Sequence, residues 1–403
     1  MAEQSQPPQA RRSILALGAA ALLALGLGGC QLVPKAGRPA PAPTQTEPET
    51  EAPEPIPTPQ GNLPVDANRN RVAVLVPLTG TNAGVGKSIA NAANLALLDT
   101  GGERIRITVY DTAKGGAAAA ANQALAEGNG LFLGPLLAED VRAVAPLAAG
   151  ADVPVVAFSN DVSVAGDGVY VMGFTPGQSI SRVVAFARER GVTSFGALTP
   201  EGIYGRRAAQ ALIDIVPRAG GRLVGTQSFD RGPGSMRTAV TRLNALGSYD
   251  AVLVADSGRT AATAAPLVRG GSSPGARILG TELWATESNL GATAALRGAW
   301  YASTSDTMFN QLRSRYRARY GAGPFRLASL GYDAVLLAVR VAKEWRFGRP
   351  FPERALRDDA GFAGVDGAFR FGANNVVERA LEVREVTAAG TSVVSPAPRS
   401  FGD

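Results

Sequence analysis

From residue 71 onward, the chain alternates between short apolar runs and longer runs of helical composition. The first apolar run, residues 72–77 within the string RVAVLVPLTG, is uninterrupted, which is typical of a strand buried on both faces. A polar, glycine-containing turn is predicted at residues 79–88, and a helix at residues 89–98. This order of strand, loop and helix is the opening unit of an open parallel sheet, where ligands lie beyond the carboxyl ends of the strands.

Further strands and helices alternate at the spacing that is typical of parallel α/β sheets. The first series continues with predicted strands at residues 105–110, 131–137, 153–158 and 169–174, and with predicted helices at residues 115–127 and 139–149. A second series has predicted strands at residues 194–198, 223–229, 251–255 and 277–280, and predicted helices at residues 178–190, 204–219, 235–246 and 260–269. Two such series favour two lobes over one large sheet.

The carboxyl-terminal part departs from this alternation. A strand is predicted at residues 300–304, and helices at residues 307–320 and 327–345. Residues 364–371 and 380–386 are predicted to form an antiparallel hairpin joined by a turn at residues 372–375, and residues 391–403 are expected to be a tail. The predicted fold class is therefore α/β, with parallel sheets flanked by helices.

The first 29 residues have the pattern of a secretory signal. A basic pair, Arg11-Arg12, precedes an apolar run at residues 14–27 that is short for a bilayer span. The string LGGC that ends at Cys30 resembles a bacterial lipoprotein signal, in which the cysteine carries diacylglycerol. Because Gln31 rather than aspartate follows, the sorting pattern of such lipoproteins implies the periplasmic face of the outer membrane. The sequence leaves open whether export uses the general or the twin-arginine route.

A proline-rich segment follows the cysteine. Residues 34–64 contain ten prolines among alanine, threonine and glutamate, with few large apolar side chains. Such a composition cannot bury a core and favours extended polyproline II, so at about 3.1 Å per residue the segment could reach on the order of 100 Å. We expect residues 30–69 to be a disordered tether, either a passive spacer or a leash toward a partner.

Composition excludes several kinds of chemistry. The 403 residues include no histidine, which removes Ser-His and Cys-His nucleophiles as well as histidine-ligated metals. The single cysteine, Cys30, precludes an internal disulfide or a thiolate metal cluster. The string GVGKS at residues 84–88 lacks the first glycine of a P-loop, because Thr81 stands in its place. The numerous acids leave a carboxylate-pair glycosidase open on composition alone, but nothing in the sequence marks such a pair. We predict a protein that is not an enzyme and that uses no cofactor or metal.

The charge distribution gives no sign of a nucleic-acid partner. The formal net charge is +6, and most of the basic residues are scattered. The one dense run is Arg313, Arg315, Arg317 and Arg319. Its alternation with polar and small residues indicates a solvated helix face rather than a nucleic-acid surface.

Seven short strings, each present once, follow one another along the chain in a characteristic order. They are VAVLVPLTG (72–80), VYDT (109–112), LFLGPLLAEDVRAVAPLA (131–148), VPVVAFSND (153–161), YGRRAAQAL (204–212), SLGYDAVLLA (329–338) and GVDGAFRF (364–371). Together they resemble the type I periplasmic binding proteins, the leucine/isoleucine/valine-binding family. The resemblance implies two α/β lobes joined by three crossovers, with a cleft between them. We expect a domain at residues 71–390, with lobe 1 at residues 71–174 and 303–367, and lobe 2 at residues 175–302 and 368–390.

Two functions are compatible with this resemblance. The strings GPLLAEDVRAVAPLA and AFSNDVSVAG look closest to the penicillin-binding protein activators, outer-membrane lipoproteins that contact a peptidoglycan synthase. The alternative is a solute-binding receptor that delivers amino acids or related small molecules to the permease of an ABC importer. Either kind of protein could hold a small molecule in the cleft.

The resemblance also places the cleft on loops after predicted strands. In the family's amino-acid receptors, hydroxyl and N–H groups of lobe 1 meet the ligand carboxylate, and an acid of lobe 2 meets its ammonium. At one such loop, where a receptor often has serine, this chain has Glu139, which would repel a carboxylate. The predicted cleft residues are Thr79, Glu139, Ser159, Asn160, Asp161, Tyr204, Asp256, Glu282 and Trp284.

These residues also have structural interpretations that the sequence leaves open. Residues 159–161 could cap a helix or form an Asx-turn. Tyr204 could pack in the core or at the hinge. Asp256 could be a helix N-cap, and Trp284 could pack on the lobe surface.

Overall fold

The computed structural model describes residues 66, 68–287 and 289–401. The predicted signal peptide, Cys30 and the predicted tether up to residue 65 lie outside this part of the chain. The strands are β1 Asn70–Val76, β2 Ile105–Asp111, β3 Phe132–Leu133, β4 Val155–Ala157, β5 Val169–Val171, β6 Ser194–Pro200, β7 Arg222–Phe229, β8 Ala251–Val254, β9 Arg277–Gly280, β10 Trp300–Ser303, β11 Phe362–Gly364, β12 Gly367–Phe371, β13 Val377–Arg379, β14 Glu382–Thr387 and β15 Gly390–Ser395.

Nine α-helices lie in this described part of the chain. They are α1 Ala83–Thr100, α2 Ala117–Ala126, α3 Ala138–Ala149, α4 Pro176–Glu189, α5 Ile203–Arg218, α6 Ser235–Ala245, α7 Gly258–Arg269, α8 Asp306–Tyr320 and α9 Ala328–Val341. Short 3-10 helices span Val162–Val164, Glu282–Thr286, Leu290–Ala292, Ala294–Leu296 and Glu353–Arg357. Among the described residues, no helix has both the length and the apolar character that crossing a bilayer requires.

The first sheet contains β1 to β5, all parallel, in the order β2-β1-β3-β4-β5. All seven residues of β1 are buried because helices cover both faces of the sheet. Val72, Val74 and Val76 join a core with side chains of α1 and α9. Ala73 and Leu75 join a second core with side chains of α2 and α3. This two-sided burial is the reason for the uninterrupted apolar run in the sequence.

Helix α1 begins at Ala83, earlier than the predicted start at residue 89. The segment that was predicted as a turn therefore contains the first turns of this helix. A Cβ atom added at Gly86 would lie 1.8 Å from the carbonyl oxygen of Pro77. Glycine thus lets α1 approach the end of β1 closely, although glycine by itself lowers helix propensity.

The second sheet has the order β15-β14-β10-β9-β8-β6-β7. Strands β6 to β10 are parallel, whereas β14 and β15 are antiparallel additions at one edge. One face packs on α4 and α5, through residues such as Val183 and Leu212. The other face packs on α6 and α7, through residues such as Leu243 and Val268. The predicted α/β fold class, with parallel sheets flanked by helices, is confirmed.

The predicted hairpin near the carboxyl terminus is wrong. Strand β12 pairs with β11 and β13 in a separate three-stranded sheet, whereas β14 pairs with β10 and β15. Phe369, Phe371 and Val377 pack in the same core as β1, so residues 368–379 lie with lobe 1 and not with lobe 2. Residues 390–395, most of which were expected to belong to a tail, form β15.

We therefore use lobe 1 for the first and the three-stranded sheets with α1, α2, α3, α8 and α9, and lobe 2 for the second sheet with α4 to α7. The chain passes between the lobes three times. The first crossover lies between β5 and α4, the second between β10 and α8, and the third between β13 and β14. These three connections are the only hinge between the lobes in the described residues.

Asp250 joins the starts of two neighbouring strands in lobe 2. Its Oδ2 accepts hydrogen bonds from the N–H groups of Thr193 and Ser194 (both 2.9 Å) and from the Thr193 hydroxyl (2.7 Å). These bonds, that of the Thr193 hydroxyl foremost, lower the pKa of Asp250 to about 2. The folded pKa lies below the unfolded value, so the stabilisation is present above about pH 4 and is lost as the pH falls toward about 2.

We expect Asp250→Asn to lower the free energy of unfolding at neutral pH by roughly 1 kcal/mol, a figure reduced for solvent screening at this exposed site. The variant should also lose less stability than the unmodified chain between about pH 4 and about pH 2. Urea denaturation at several pH values measures both effects, with the exposed Asp214→Asn as the matched control. If the free energy of unfolding depends on pH in the same way in the variant and in the unmodified chain, Asp250 does not have the stabilising role assigned to it.

Candidate functional site

The cleft lies where the loop after β4 of lobe 1 meets the first turns of α5 of lobe 2. Ser159 is buried in this loop, and its hydroxyl accepts a hydrogen bond from the N–H of Asp161 at 3.1 Å. Asp161 caps the 3-10 helix Val162–Val164, because its Oδ1 accepts from the N–H and the hydroxyl of Ser163 at 3.0 and 2.7 Å. The helix-cap interpretation thus holds for Asp161, whose Oδ2 remains available for other partners.

Asp161 also makes two ion pairs, and the one with Arg207 joins the two lobes. Its Oδ2 lies 2.7 Å from Nη2 of Arg207 on α5 and 2.9 Å from Nη2 of Arg142 on α3. Arg207 Nη1 also donates to the backbone oxygen and to Oδ1 of Asn160, both at 3.3 Å. The lobes are therefore held together here by side chains of the chain itself.

The electrostatics of this contact favour an ionised Asp161. Burial by itself would raise the pKa of Asp161, since its side chain is only 9% exposed. Hydrogen bonds from Ser163 and the positive charges of Arg207 and Arg142 outweigh burial and hold the pKa below its ordinary value. The contact is consequently fully charged at neutral pH.

On the side of lobe 2, Tyr204 and Glu282 form a second polar contact. The Tyr204 hydroxyl lies 2.9 Å from Oε1 of Glu282 and 3.0 Å from Oγ1 of Thr281. The hydroxyl of Ser179 in α4 donates to the other carboxylate oxygen of Glu282. Glu282, the residue predicted to meet a ligand ammonium, is therefore already bound by two hydroxyl groups of lobe 2.

Burial is the main cause of the pKa shifts of both Tyr204 and Glu282. It raises the pKa of Glu282, although hydrogen bonds from Ser179 and Tyr204 partly offset that effect. Burial, and then the negative charge of Glu282, raise the pKa of Tyr204. The tyrosine thus remains a neutral hydrogen-bond donor throughout the physiological range.

A cavity of about 450 Å³ opens beside this pair at the carboxyl ends of β6, β7 and β8. Tyr204 and Asp256, two of the predicted cleft residues, line it, and so do seven residues that were not predicted. The latter are Pro200, Glu201, Phe229, Asp230, Arg231, Ala255 and Leu283. Asp256 does not cap α7, because the capping side chain is that of Ser257, which accepts from the N–H of Thr260.

Trp284 was predicted to cover a ligand, and the structure contradicts this. Its side chain is fully buried in the core of lobe 2, 5.7 Å from the ring of Tyr301. Its Nε1 donates to the backbone oxygen of Asp256 at 2.8 Å, and a Cβ added at Gly280 would lie 2.4 Å from its ring. The tryptophan is a core residue because a glycine in β9 leaves space for the indole.

Thr79 and Glu139 lie at the carboxyl end of the lobe 1 sheet, but neither takes part in the two polar contacts described above. The Thr79 hydroxyl donates to Oδ2 of Asp111 at the end of β2, at 2.8 Å. Glu139 is exposed in the first turn of α3, where a carboxylate interacts favourably with the helix dipole. Burial, and then the charge of Glu139, raise the pKa of Asp140 beside it.

Arg207 and Ser179 bind the predicted residues but were not predicted from the sequence. Arg207 follows Tyr204 by three positions, so both lie on one face of α5, and this spacing is visible in the string YGRR. Ser179 offers no comparable signal, because a serine in the first turn of a helix is common. Its contact with Glu282 depends on how α4 packs in the folded lobe.

Comparison with known proteins agrees with this architecture. The model of the periplasmic binding protein family matches residues 70–391. A curated relative, an uncharacterized protein of Rickettsia prowazekii (strain Madrid E), is 25% identical over 174 residues. That alignment covers 43% of this chain and 47% of the relative, so it spans about half the length of each.

Solved structures of two functional kinds are similar in fold. One, named for a branched-chain amino acid ABC transporter of Rhodospirillum rubrum, has a TM-score of 0.68 and 22% identity, covering 81% of this chain and 100% of that chain. The C-domain of LpoA from Haemophilus influenzae, described as a regulator of PBP1A, has a TM-score of 0.64 and 20% identity with the same coverage. Full-length LpoA has a TM-score of 0.65 and 19% identity, covering 81% of this chain and 59% of that chain.

At these identities, similarity between structures supports the fold alone. The family match spans most of the chain, and the predicted resemblance to the leucine-binding branch is confirmed. With two lobes, three crossovers and a cleft at the carboxyl ends of parallel strands, the chain belongs to the periplasmic binding protein family.

Proposed function

We propose that this chain is a non-enzymatic regulator of peptidoglycan synthesis that binds and activates a penicillin-binding protein. The observation that carries the proposal is the contact of Asp161 with Arg207, which joins the lobes at 2.7 Å through the protein's own charges. A receptor that closes around cargo relies on the ligand to bridge its lobes. Here the bridge is already made, which suits a protein that presents a fixed surface to a partner.

The second polar contact of the cleft supports the same proposal. Glu282 accepts hydrogen bonds from Ser179 and Tyr204, so an incoming ammonium group would have to displace one of them. Losing such a bond costs about 1 kcal/mol or more, which weakens capture of a free amino acid. Glu139 adds a negative charge where the family's receptors place a hydroxyl group.

The placement of the protein is part of the proposal. We propose that Cys30 is lipidated and anchors the chain to the periplasmic face of the outer membrane, with residues 30–69 as a tether. A diacylated cysteine that is also N-acylated would hold the chain stably at the membrane. The tether would then allow the folded domain to reach a partner in the cell wall. Support comes from the LGGC string, from Gln31 and from the fold likeness to LpoA.

The test uses the purified full chain in detergent with the bifunctional peptidoglycan synthases of the same organism. We expect co-retention with one synthase and a faster rate of glycan polymerisation or crosslinking. Arg207→Ala should reduce this stimulation because it breaks the contact between the lobes, whereas Arg206→Ala, at the exposed neighbouring position, should preserve it. No co-retention and no change in either rate would contradict the proposal.

A second candidate is a solute-binding receptor of an ABC importer, which the cavity beside Tyr204 favours. The cavity, of about 450 Å³, combines apolar walls from Phe229 and Leu283 with carboxylates such as Asp256. A thermal-shift screen with amino acids, short peptides and muropeptides separates the candidates. A true ligand at about 100 times its Kd would stabilise the fold by about 2.7 kcal/mol, whereas a regulator with a self-bound cleft should give no shift.

A further inference from the structure

Four charged side chains form a cluster beneath the connections between the lobes. Asp333 and Asp366 are fully buried, and Arg379 is 8% exposed. Arg326 makes an ion pair with Asp366 at 2.5 Å. We call these four residues the hinge cluster. Burying the charges of Asp333, Asp366 and Arg379 carries a large desolvation cost, whereas Arg326 is partly exposed. None of the four lies in the cleft described above.

The hinge cluster contacts all three crossovers. Arg379, which ends β13 just before the third crossover, donates from Nη2 to the backbone oxygen of Met172 in the first crossover, at 2.7 Å. Its guanidinium also lies 4.6 Å from the ring centroid of Phe174 in that crossover. Arg326 donates from Nη2 to the hydroxyl of Thr304 in the second crossover, at 2.5 Å. The cluster therefore links the segments that must move when the lobes open or close.

Within the cluster, Asp333 is the group poised to change charge. Its Oδ1 accepts a hydrogen bond from the N–H of Val365 at 2.7 Å, and its Oδ2 has no hydrogen-bond partner among the described residues. Burial, and then the negative charge of Asp366, raise the pKa of Asp333 to about 7, although Arg379 opposes the shift. The chain contains no histidine, so few of its groups titrate in this range.

We propose that the hinge cluster is a proton-sensitive lock on the movement of the lobes. With all four groups charged, two carboxylates balance two guanidinium groups, and Arg379 holds the third crossover against the first. When Asp333 takes up a proton from solvent at Oδ2, Arg379 loses one neighbouring anion and is repelled by Arg326. The hinge then loosens. The proposal does not depend on which partner or ligand the protein binds.

The surroundings of Asp333 restrict the response to this cluster. The charged groups that face it are Asp366 and Arg379, with Arg326 beyond Asp366. Tyr332, the preceding residue of α9, turns instead to Asp99 of α1. Arg315 of α8 also reaches Tyr332 and Asp99, so these three side chains form a separate polar contact between the neighbouring helices.

The lock has a defined effect on stability. Because the folded pKa of Asp333 exceeds the unfolded value, its protonated form is favoured by folding, and this contribution is lost as the pH rises from about 4 toward about 7. The hinge itself responds in the opposite sense, since ionisation strengthens the attraction to Arg379. As the pH falls from about 7 toward about 4, the free energy of unfolding and the mobility of the lobes should therefore both increase.

The experiment measures the distance between the lobes by pulsed electron spin resonance on the purified full chain in detergent. Spin labels are attached at Glu103→Cys and Ser248→Cys, exposed positions that precede β2 and β8, in a chain with Cys30→Ser. We expect a narrow distance distribution at about pH 8 and a distribution about twice as wide at about pH 5.5, on either side of the Asp333 transition. Asp333→Asn should give the wide distribution at both pH values.

A control variant separates the hinge cluster from other carboxyl groups. Asp140→Asn removes a carboxyl group with a raised pKa that lies outside the hinge cluster, and it should keep the response of the unmodified chain. If Asp333→Asn does not fold, Arg379→Lys tests the link between the first and third crossovers, because lysine keeps the charge but cannot reach Met172 in the same geometry. It should widen the distribution at about pH 8. A distribution that does not change with pH, or that changes equally in Asp333→Asn, would overturn the proposal.

Discussion

Replacing Gly205 by alanine is expected to cause a large loss of stability and to disrupt the cleft. A Cβ atom at this position would lie 1.6 Å from the carbonyl oxygen of Pro200 at the end of β6, so α5 would have to move away from the strand. The same movement carries Tyr204 and Arg207 away from their partners. We expect the free energy of unfolding to fall by about 2–3 kcal/mol, as for overpacking against a rigid backbone.

Urea denaturation measures this loss, and Gly323→Ala is its matched control. No atom lies within 4 Å of a Cβ added at Gly323, so this change should leave stability nearly unaltered. Gly86→Ala should behave like the Gly205 variant, because its Cβ would meet the carbonyl oxygen of Pro77 in the equivalent position of lobe 1. Equal stability of the Gly205 and Gly323 variants would show that α5 does not pack on β6 in this way.

Asp161→Asn is expected to separate the lobes without unfolding either of them. Asparagine can still accept the hydrogen bond from Ser163 that caps the 3-10 helix, but it has no charge for Arg142 and Arg207. We expect the free energy of unfolding to fall by about 1–2 kcal/mol, less than for a fully buried ion pair, because Arg142 is 56% exposed. The pair of spin labels on the two lobes should report a wider distance distribution at about pH 8.

The control for this variant is Asp358→Asn, which breaks the exposed contact with Arg340 on lobe 1. A surface pair of this kind contributes less than about 1 kcal/mol and spans no cleft, so the distance between the lobes should not change. The pKa of Asp161 is lowered in the folded state, so its stabilisation is constant above about pH 4 and disappears only in acid. If the lobes of Asp161→Asn remain as close as before, the ion pair does not hold them.

The alternation of apolar strands and amphipathic helices was sufficient to predict most elements of both sheets. Strand β9, for example, has the predicted bounds, and most helices begin within two residues of their predicted starts. The largest difference in a helix start is that of α1, because glycines in its first turns suggest a loop. There, close packing against Pro77 outweighs the low helix propensity of glycine.

The carboxyl-terminal strands could not be assigned correctly from the sequence. Strands β12 and β14 have similar alternating patterns, and two such strands separated by a short polar segment predict a hairpin. In the structure they belong to different sheets, since Phe369 packs in the core of lobe 1 and Val383 in that of lobe 2. Which core takes a strand is a long-range choice that local pattern does not encode.

For the predicted cleft residues, too, the outcome depended on whether local sequence or long-range packing sets the position of the side chain. Residues 159–161, Tyr204 and Asp256 were predicted from the family resemblance and from their positions after strands or at a helix start. In the structure, Asn160 and Asp161 contact Arg207 of the other lobe, and Tyr204 and Asp256 line the cavity of lobe 2. Trp284 has the same kind of position but points into the core, because Gly280 leaves space for its ring. Arg207 was missed because its importance depends on the approach of the two lobes, which no single segment reveals.

The most direct test of this account is the distance between the two spin-labelled lobes in the full chain at about pH 8, with no ligand added. A cleft that is closed by Asp161 and Arg207 predicts one narrow distribution at the short distance, unchanged by amino acids, peptides or muropeptides. A long or broad distribution that shortens only when one of these small molecules is added would contradict the account and identify the chain as a ligand-driven receptor.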